Sequence, residues 1–393
     1  MVKDVRVEEI PGLYGSLKMD EIIVQKIWEE QDFLTQSLHT SCGKSIKVTS
    51  RGDWNRAEEG PDFKNAQLLI DGQNRLGDVE IHFQPSDWTK HRHDRNPNFN
   101  QVVLQVCVFP DSDPSKPQHV ISENGKKIPT LFLLPFLYYG LEEYAEAYTL
   151  AKLSDPDITG HSNLDKISQV TEAEFEQLIA SRWEAKLGFA KRRLERQGWE
   201  RALHQWFLEV LGYRRNRGCM ARISEEYPHT MWSMNKVDPC LAYDSHKDWM
   251  LRGCRPANHP LSRLKQYHML WKCHPGWMSG IRDLAQIFRG KNSDVKGERE
   301  KIRKLDKQWK EVILKNVFSS TKANTIWVDC VLPLLSEDLK INGYELWKQW
   351  PAGDYPRHFR DYAKNLNWAK ESGKELFTNG LVQGIIRFSS VSE

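Results

Sequence analysis

Five residues have types and spacings that could do chemistry: Asp62, Glu80, His82, His91 and His93. The first three lie in "GPDFKNAQLLIDGQNRLGDVEIHF", residues 60–83, and the last two in the loop that follows. Two carboxylates and an imidazole converging on one point make a site for a divalent cation. Oxygen donors suit magnesium or manganese, and an imidazole moves the preference toward manganese or zinc. Such a cation activates water for hydrolysis. His91-x-His93 beside Asp87 and Asp94 offers a second arrangement, with His82, His91 and His93 aimed at one zinc. Glu58, Asp87, His91, His93, Asp94 and Gln105 form the expected rim of the site.

The elements that must position these groups follow from periodicity. Side chains alternate across a strand, so Val79, Ile81 and Phe83 share a core face. Glu80 and His82 share the other face, about 7 Å apart along the strand. The bland alternative for that face is a solvated strand surface. If residues 63–70 pair with residues 79–83 as a hairpin, Asp62 falls at its base beside Glu80. Asp71-Gly72 supplies a backbone that turns tolerate. Before the hairpin, "LKMDEIIVQKIWEEQDFL" predicts a first helix with Ile23 and Ile27 on its stripe. Glu21, Glu29 and Glu30 are its candidate site acids, and the spacing does not choose between them. After the hairpin, "PSDWTKHRHDRNPNFN" predicts a loop or short helix, and "QVVLQVCVF" a strand buried on both faces.

Residues 110–127 and 153–167 are polar and rich in Asp, Ser, Pro and Gly, so both predict loops, the second a domain linker. Beyond it the pattern turns helical. Thr171 and Glu174 form a capping-box signature. Gly198 interrupts the period, and Gly212 predicts a C-cap. Two domains are expected in 393 residues: an α/β domain over 1–152 and a helical domain over 168–393.

Hydrophobic residues are 39% and charged residues 28% of the chain, as in soluble globular proteins. The longest apolar stretch is too short for a bilayer span and the N-terminus lacks a signal-peptide core, so a cytoplasmic protein is expected. Seven scattered cysteines without a CxxC pair argue against a disulfide framework and a zinc ribbon. The net charge of +3 is unevenly spread. Residues 182–222 carry 11 basic and 4 acidic side chains, which suits a polyanion-binding surface or a solvated helix face. Arg192, Arg193, Arg214, Arg215 and Arg217 are its candidate phosphate contacts. There is no P-loop, no GxGxxG after a strand, no GxSxG elbow and no HExxH helix.

Pro61-Asp62, a hairpin, then Glu80-x-His82 resembles the PD-(D/E)XK nuclease superfamily. That resemblance implies a restriction-endonuclease-like core: a helix, a three-strand meander and a fourth strand. It also implies Asp62 and Glu80 as metal ligands and catalytic groups. The third position is usually Lys in that superfamily and is His82 here. An imidazole can bind metal or accept a proton but supplies no permanent charge.

A second resemblance covers more of the chain. "EEGPDFKNAQLLI", "GDVEIHFQPSDWTKHRHD", "NFNQVVLQVCVF" and "RPANHPLSRLKQYHML" together look like the bacterial family called domain of unknown function 2851. The family's His in the fourth strand is Gln105 here. The resulting expectation is a divalent-metal-dependent nuclease with Asp62, Glu80 and His82 at a magnesium or manganese site. Two alternatives stay open: a nucleic-acid-binding protein that has lost catalysis, and a zinc module on His82, His91 and His93.

Overall fold

The computed structural model describes residues 21–35, 37–56, 59–111, 119–138, 140–152, 164–213, 216–247, 249–251, 254–288, 295–355, 358–366, 368 and 377–391. The chain divides between Tyr148 and Thr149 into two compact units.

The N-terminal unit is a mixed sheet with helix α1 (Glu21–Glu30). Ile23, Val24, Ile27 and Trp28 form the buried stripe of α1. Three strands, β1 (Ile46–Ser50), β3 (Phe63–Ile70) and β4 (Gln73–His82), make an antiparallel meander in the order β1-β3-β4, with the two-residue β2 (Asp53–Trp54) also on β3. β5 (Val102–Cys107) then lies parallel to β4, and all six of its residues are buried. The sheet continues through β7 (Lys127–Phe132), parallel to β5, to β6 (His119–Ile121), antiparallel to β7, and helix α3 (Leu141–Lys152) comes next in the chain. β6 falls within the stretch expected to be a loop. His119, Val120 and Ile121 pair with Pro129, Ile128 and Lys127, so partners six to ten residues away override their polar neighbourhood.

Between β4 and β5 lie α2 (Asp87–Lys90) and two short 3₁₀ turns, His93–Arg95 and Pro97–Phe99. Trp88 nails this segment down. It is fully buried in a small cluster with Phe99, Val102, Val120 and Ile128, and its indole N–H donates to the Ile121 carbonyl at 3.0 Å.

The second unit is mostly helical. Thr171 caps α4 (Glu172–Gly212) with the reciprocal bonds of a capping box. Gly198, at φ 76° and ψ 176°, breaks α4 into two helices. The cap at the far end is Tyr213 rather than Gly212. Gly212 is needed for close packing instead: a Cβ there would stand 2.8 Å from the Met220 side chain of α5 (Arg217–Glu226). Helices Pro260–Cys273 and Trp277–Phe288 follow, and Ser320–Leu339 contains a π turn over Trp327–Val331. The core of this unit is built on tryptophans: Trp232, Trp277, Trp309, Trp327, Trp347 and Trp350 are all fully buried. No helix among the described residues is long and apolar enough to cross a membrane.

Candidate metal centre

The β3–β4 hairpin brings together two carboxylates 18 residues apart. Gly60, at φ 121°, turns the chain into buried Pro61, and Asp62 follows at the foot of β3. Phe63 pairs with Val79, which sets Asp62 against Glu80 and Ile81. The lock is reciprocal. The Asp62 N–H donates to Glu80 Oε2 at 3.0 Å, and the Ile81 N–H donates to Asp62 Oδ2 at 3.0 Å. Gln25 of α1 donates to Asp62 Oδ1 at 2.7 Å. Asp62 therefore stands behind Glu80, with both oxygens already accepting hydrogen bonds.

Gly77 sets the other side. A Cβ there would lie 2.4 Å from the Gln101 carbonyl oxygen and 2.5 Å from a Val103 methyl. Only glycine lets β5 come this close, and the parallel register shifts at the next step. Beyond the shift Glu80 pairs with Gln105 and His82 with Cys107, and Gln105 pairs with Thr130 of β7. Glu80, Gln105 and Thr130 thus form a polar row across the sheet. The row is not solvated: Glu80 is 5% exposed and His82 and Gln105 are 0% exposed. The reason is the Trp88-anchored segment after β4.

That segment delivers the other imidazoles. Arg92 adopts the left-handed conformation, φ 63°, between His91 and His93, and the His93 ring stacks on Phe99 at 3.7 Å. Ring centroids of His82 lie 5.1 Å from His91 and 5.3 Å from His93. One ligand nitrogen from each of His82, His91 and His93 falls within 4.8 Å of the others. Glu80 Oε1 sits 3.2 Å from His93 Nε2 and 3.6 Å from His82 Nε2. Neither approach has hydrogen-bond geometry, so His82 Nε2 and both His93 nitrogens are buried without a hydrogen-bond partner. His91 is exposed and opens the cluster to solvent.

Burial dominates the electrostatics. It pushes the Asp62 carboxyl up to about 8, with the Glu80 charge adding to the rise, and pushes Glu80 up to about 8 against the Asp62 N–H that lowers it. Burial, then the charges of His93 and His91, hold His82 down at about 3. Burial also lowers His93. His82 and His93 are therefore neutral near pH 7, the form that binds metal. Three converging imidazoles, two of them with buried unbonded nitrogens, fit a divalent transition metal such as zinc better than magnesium.

Of the three candidate acids of α1, Glu21, in its first turn, interacts electrostatically with His91 and His93. Burial raises its pKa, while His91, the Phe83 backbone N–H and His93 act against the rise. Glu29 turns to Lys26 instead. Gln25, one helical turn beyond Glu21 and off the Ile23/Ile27 stripe, was not singled out by the sequence. Thr130, which donates to Gln105 Oε1 at 3.0 Å, had no signal in the sequence.

The rest of the expected rim is structural where it is described. Asp87 accepts from the Gln84 N–H at 3.0 Å and pairs with Lys90 at 2.6 Å, holding the loop. Asp94 pairs with Arg95 at 3.5 Å on the surface. Glu58 lies outside the described residues. Gln105 bonds His82 Nδ1 through its amide at 3.1 Å.

Among the expected phosphate contacts, Arg192 is exposed and stacks over Phe189. Arg193 is 7% exposed, pairs with buried Glu209 at 3.1 Å and lies over Trp206. Arg217 turns to the same Glu209 at 3.6 Å. Arg214 and Arg215 lie outside the described residues. Arg263, in "RPANHPLSRL", is buried and donates to Asn258 and Gln266, a structural arginine.

No curated protein and no solved structure matches the chain. A family model described as protein of unknown function (DUF2851) matches residues 21–242, which takes in α1, the whole sheet, the three histidines and α4. The chain belongs to that family.

Proposed function

We propose that the N-terminal unit is a metal-dependent phosphodiester hydrolase, a nuclease whose metal is held by His82, His91 and His93 beside Glu80. One observation carries the reading: a fully buried imidazole nitrogen with no hydrogen bond, His82 Nε2, points into a cluster of two further imidazoles and a carboxylate. Burial of a polar atom without a partner costs roughly 1–3 kcal/mol, and a ligand removes that cost. The choice of phosphodiester rests on the strand order. A helix, an antiparallel meander and a fourth strand, with Pro-Asp and Glu-x-His at the hairpin, support the reading of a restriction-endonuclease-like core.

A divalent transition metal bound there supplies Lewis acidity and a water of lowered pKa. The chain's own residues do the rest. His82 and His93 are kept neutral by burial, and His91 lies at the open side. Glu80 Oε1, beside both buried imidazoles, takes the proton of the attacking water. Asp62 acts through Glu80: its backbone N–H fixes Oε2 and so aims Oε1. Gln25 and the Ile81 N–H hold Asp62 in turn.

The test is metal content together with cleavage. Purified protein is expected to hold about one zinc or related ion per chain, and to cut labelled single- or double-stranded DNA or RNA when supplied with zinc or manganese. Chelator and His82→Ala are expected to abolish the cut, and Asp62→Ala to weaken it, since the backbone N–H to Glu80 remains while the bonds from Gln25 and Ile81 that hold it are lost. Stoichiometric metal with no cleavage of any of the four substrates, and a melting temperature that collapses on chelation, would replace the catalytic reading with a metal-stabilised module. Magnesium-only activity indifferent to His91→Ala and His93→Ala would return the site to the carboxylates.

A further inference from the structure

We propose that Gln105 is a positioning residue that decides whether His82 presents a lone pair or an N–H to the histidine cluster. The inference rests on the metal reading above and adds a residue to it. The observation is a closed chain of three side chains with no access to water. Gln105 Nε2 stands 3.1 Å from His82 Nδ1, and Gln105 Oε1 stands 3.0 Å from Thr130 Oγ1. All three residues are 0% exposed.

A buried amide has one donor end and one acceptor end, and a half-turn exchanges them within the same envelope. Each arrangement dictates where the single imidazole proton sits. With the amide nitrogen toward His82, Nδ1 accepts and the proton sits on Nε2, facing Glu80 Oε1 at 3.6 Å. His82 then turns an unbonded N–H toward the cluster and has no lone pair for it. With the amide oxygen toward His82, Nδ1–H donates to Oε1, the amide N–H turns to Thr130 Oγ1, and Nε2 presents its lone pair to His91 and His93. The Thr130 hydroxyl makes the turn possible because it donates in the first arrangement and accepts in the second. The imidazole carries one proton throughout, so the exchange moves a proton from Nε2 to Nδ1 and releases none. Only the second arrangement allows metal binding, and its outer bond is of the kind that orients ligating histidines.

Register is what makes this device readable. Glu80, Gln105 and Thr130 are paired across β4, β5 and β7, so the amide cannot reach another acceptor without breaking the row. A carboxylate at 105 could only accept from both neighbours, which fixes His82 as a ligand. A leucine at 105 could do neither.

The experiment measures zinc affinity by competition with a chromophoric chelator for wild type, Gln105→Leu and Gln105→Glu. It is joined by histidine ¹⁵N spectra of zinc-loaded wild type, with His82 assigned by its loss in His82→Gln. Gln105→Leu is expected to bind zinc about 10- to 100-fold more weakly. Gln105→Glu is expected to bind at least as tightly as wild type, although a buried acid is a worse packing residue than leucine. The loaded spectrum is expected to show the His82 proton on Nδ1. Equal affinity of Gln105→Leu and wild type, equal weakness of the two variants, or a loaded His82 with a bare Nδ1 would each overturn the role of Gln105 while leaving the metal site standing. Absence of zinc binding by wild type would overturn the metal site and this inference together. The spectrum needs no folded variant at 105, so the proposal stays testable if either substitution destabilises the sheet.

Discussion

His82 in the sheet unit and His204 in the helical unit are both buried, and burial holds both near a pKa of about 3. They differ in their partners. His204 Nδ1 meets the Tyr267 hydroxyl at 2.7 Å and its Nε2 meets the Tyr227 carbonyl at 3.0 Å, so both ring nitrogens are bonded. His82 has a bond at Nδ1 and none at Nε2, and its neighbours are two imidazoles and a carboxylate. Depth and a depressed pKa therefore do not separate a core histidine from a ligand. An unbonded nitrogen aimed at other donors does.

The widest break between the two comes from truncating each ring. His82→Ala is expected to weaken zinc binding by more than the roughly 100-fold that loss of an outer partner costs, with a smaller change in melting temperature. His204→Ala is expected to leave zinc affinity unchanged. It strands the Tyr267 hydroxyl at roughly 1–3 kcal/mol, a fall of roughly 2–12 °C for a unit of this size, while the Tyr227 carbonyl keeps the Trp232 indole N–H at 2.8 Å. Calorimetric titration and thermal melts of both variants decide it. Two variants that lose stability alike and bind zinc alike would make His82 another core histidine.

Glu80→Gln sharpens the same contrast from the carboxylate side. The amide keeps the shape and the bond from the Asp62 N–H but cannot take a proton. Cleavage is expected to fall by about 10²- to 10⁴-fold, the usual worth of a general base, while zinc affinity changes far less. A Glu80→Gln protein that cleaves at the wild-type rate would remove Glu80 from the chemistry.

The hairpin was legible because short-range rules set it: glycine at a positive φ before Pro61-Asp62, period-two alternation in β4, and Asp-Gly at the turn. What hides Glu80 and His82 from water was not legible, because it depends on Trp88 packing across to Val120 and Ile128, more than thirty residues on. The same holds for β6, whose strand character comes from its partner. Counting charges over residues 182–222 could not tell Arg192 from Arg193. Adjacent positions on a helix point about 100° apart, and Arg193 follows Phe189 by one turn onto the buried stripe, where Glu209 and Trp206 meet it.

A titration of stability separates shared from local burial. For a carboxyl raised in the fold, stability is full below its ordinary pKa and is lost as pH rises through the folded value. In chelator, Glu225 at about 6 and Glu30 at about 7 contribute the lower part of an alkaline decline, and Asp62 and Glu80 at about 8 the upper part. The two lowered histidines act oppositely, costing stability as pH falls from about 6.5 toward 3. Zinc is expected to flatten the decline between pH 7 and 9, since a cation favours ionised Asp62 and Glu80, and to leave the lower part in place. A zinc-independent profile across that range would separate the carboxylates from the metal.

The smallest expected effect concerns the helical unit as a polyanion surface. Arg192 is exposed, so Arg192→Ala is expected to reduce the slope of log affinity against log salt by about one for a bound oligonucleotide, and to weaken all sequences alike. Arg193 is one residue away but paired internally, so Arg193→Ala is expected to leave that slope unchanged and to lower the melting temperature instead. If both variants change the slope equally, the Arg193–Glu209 pair opens when nucleic acid binds, and burial in the free protein is then no guide to which arginines touch phosphate. If neither does, the surplus charge of this segment is a solvated face, and whatever grips a nucleic acid must be sought on the sheet unit beside the histidines.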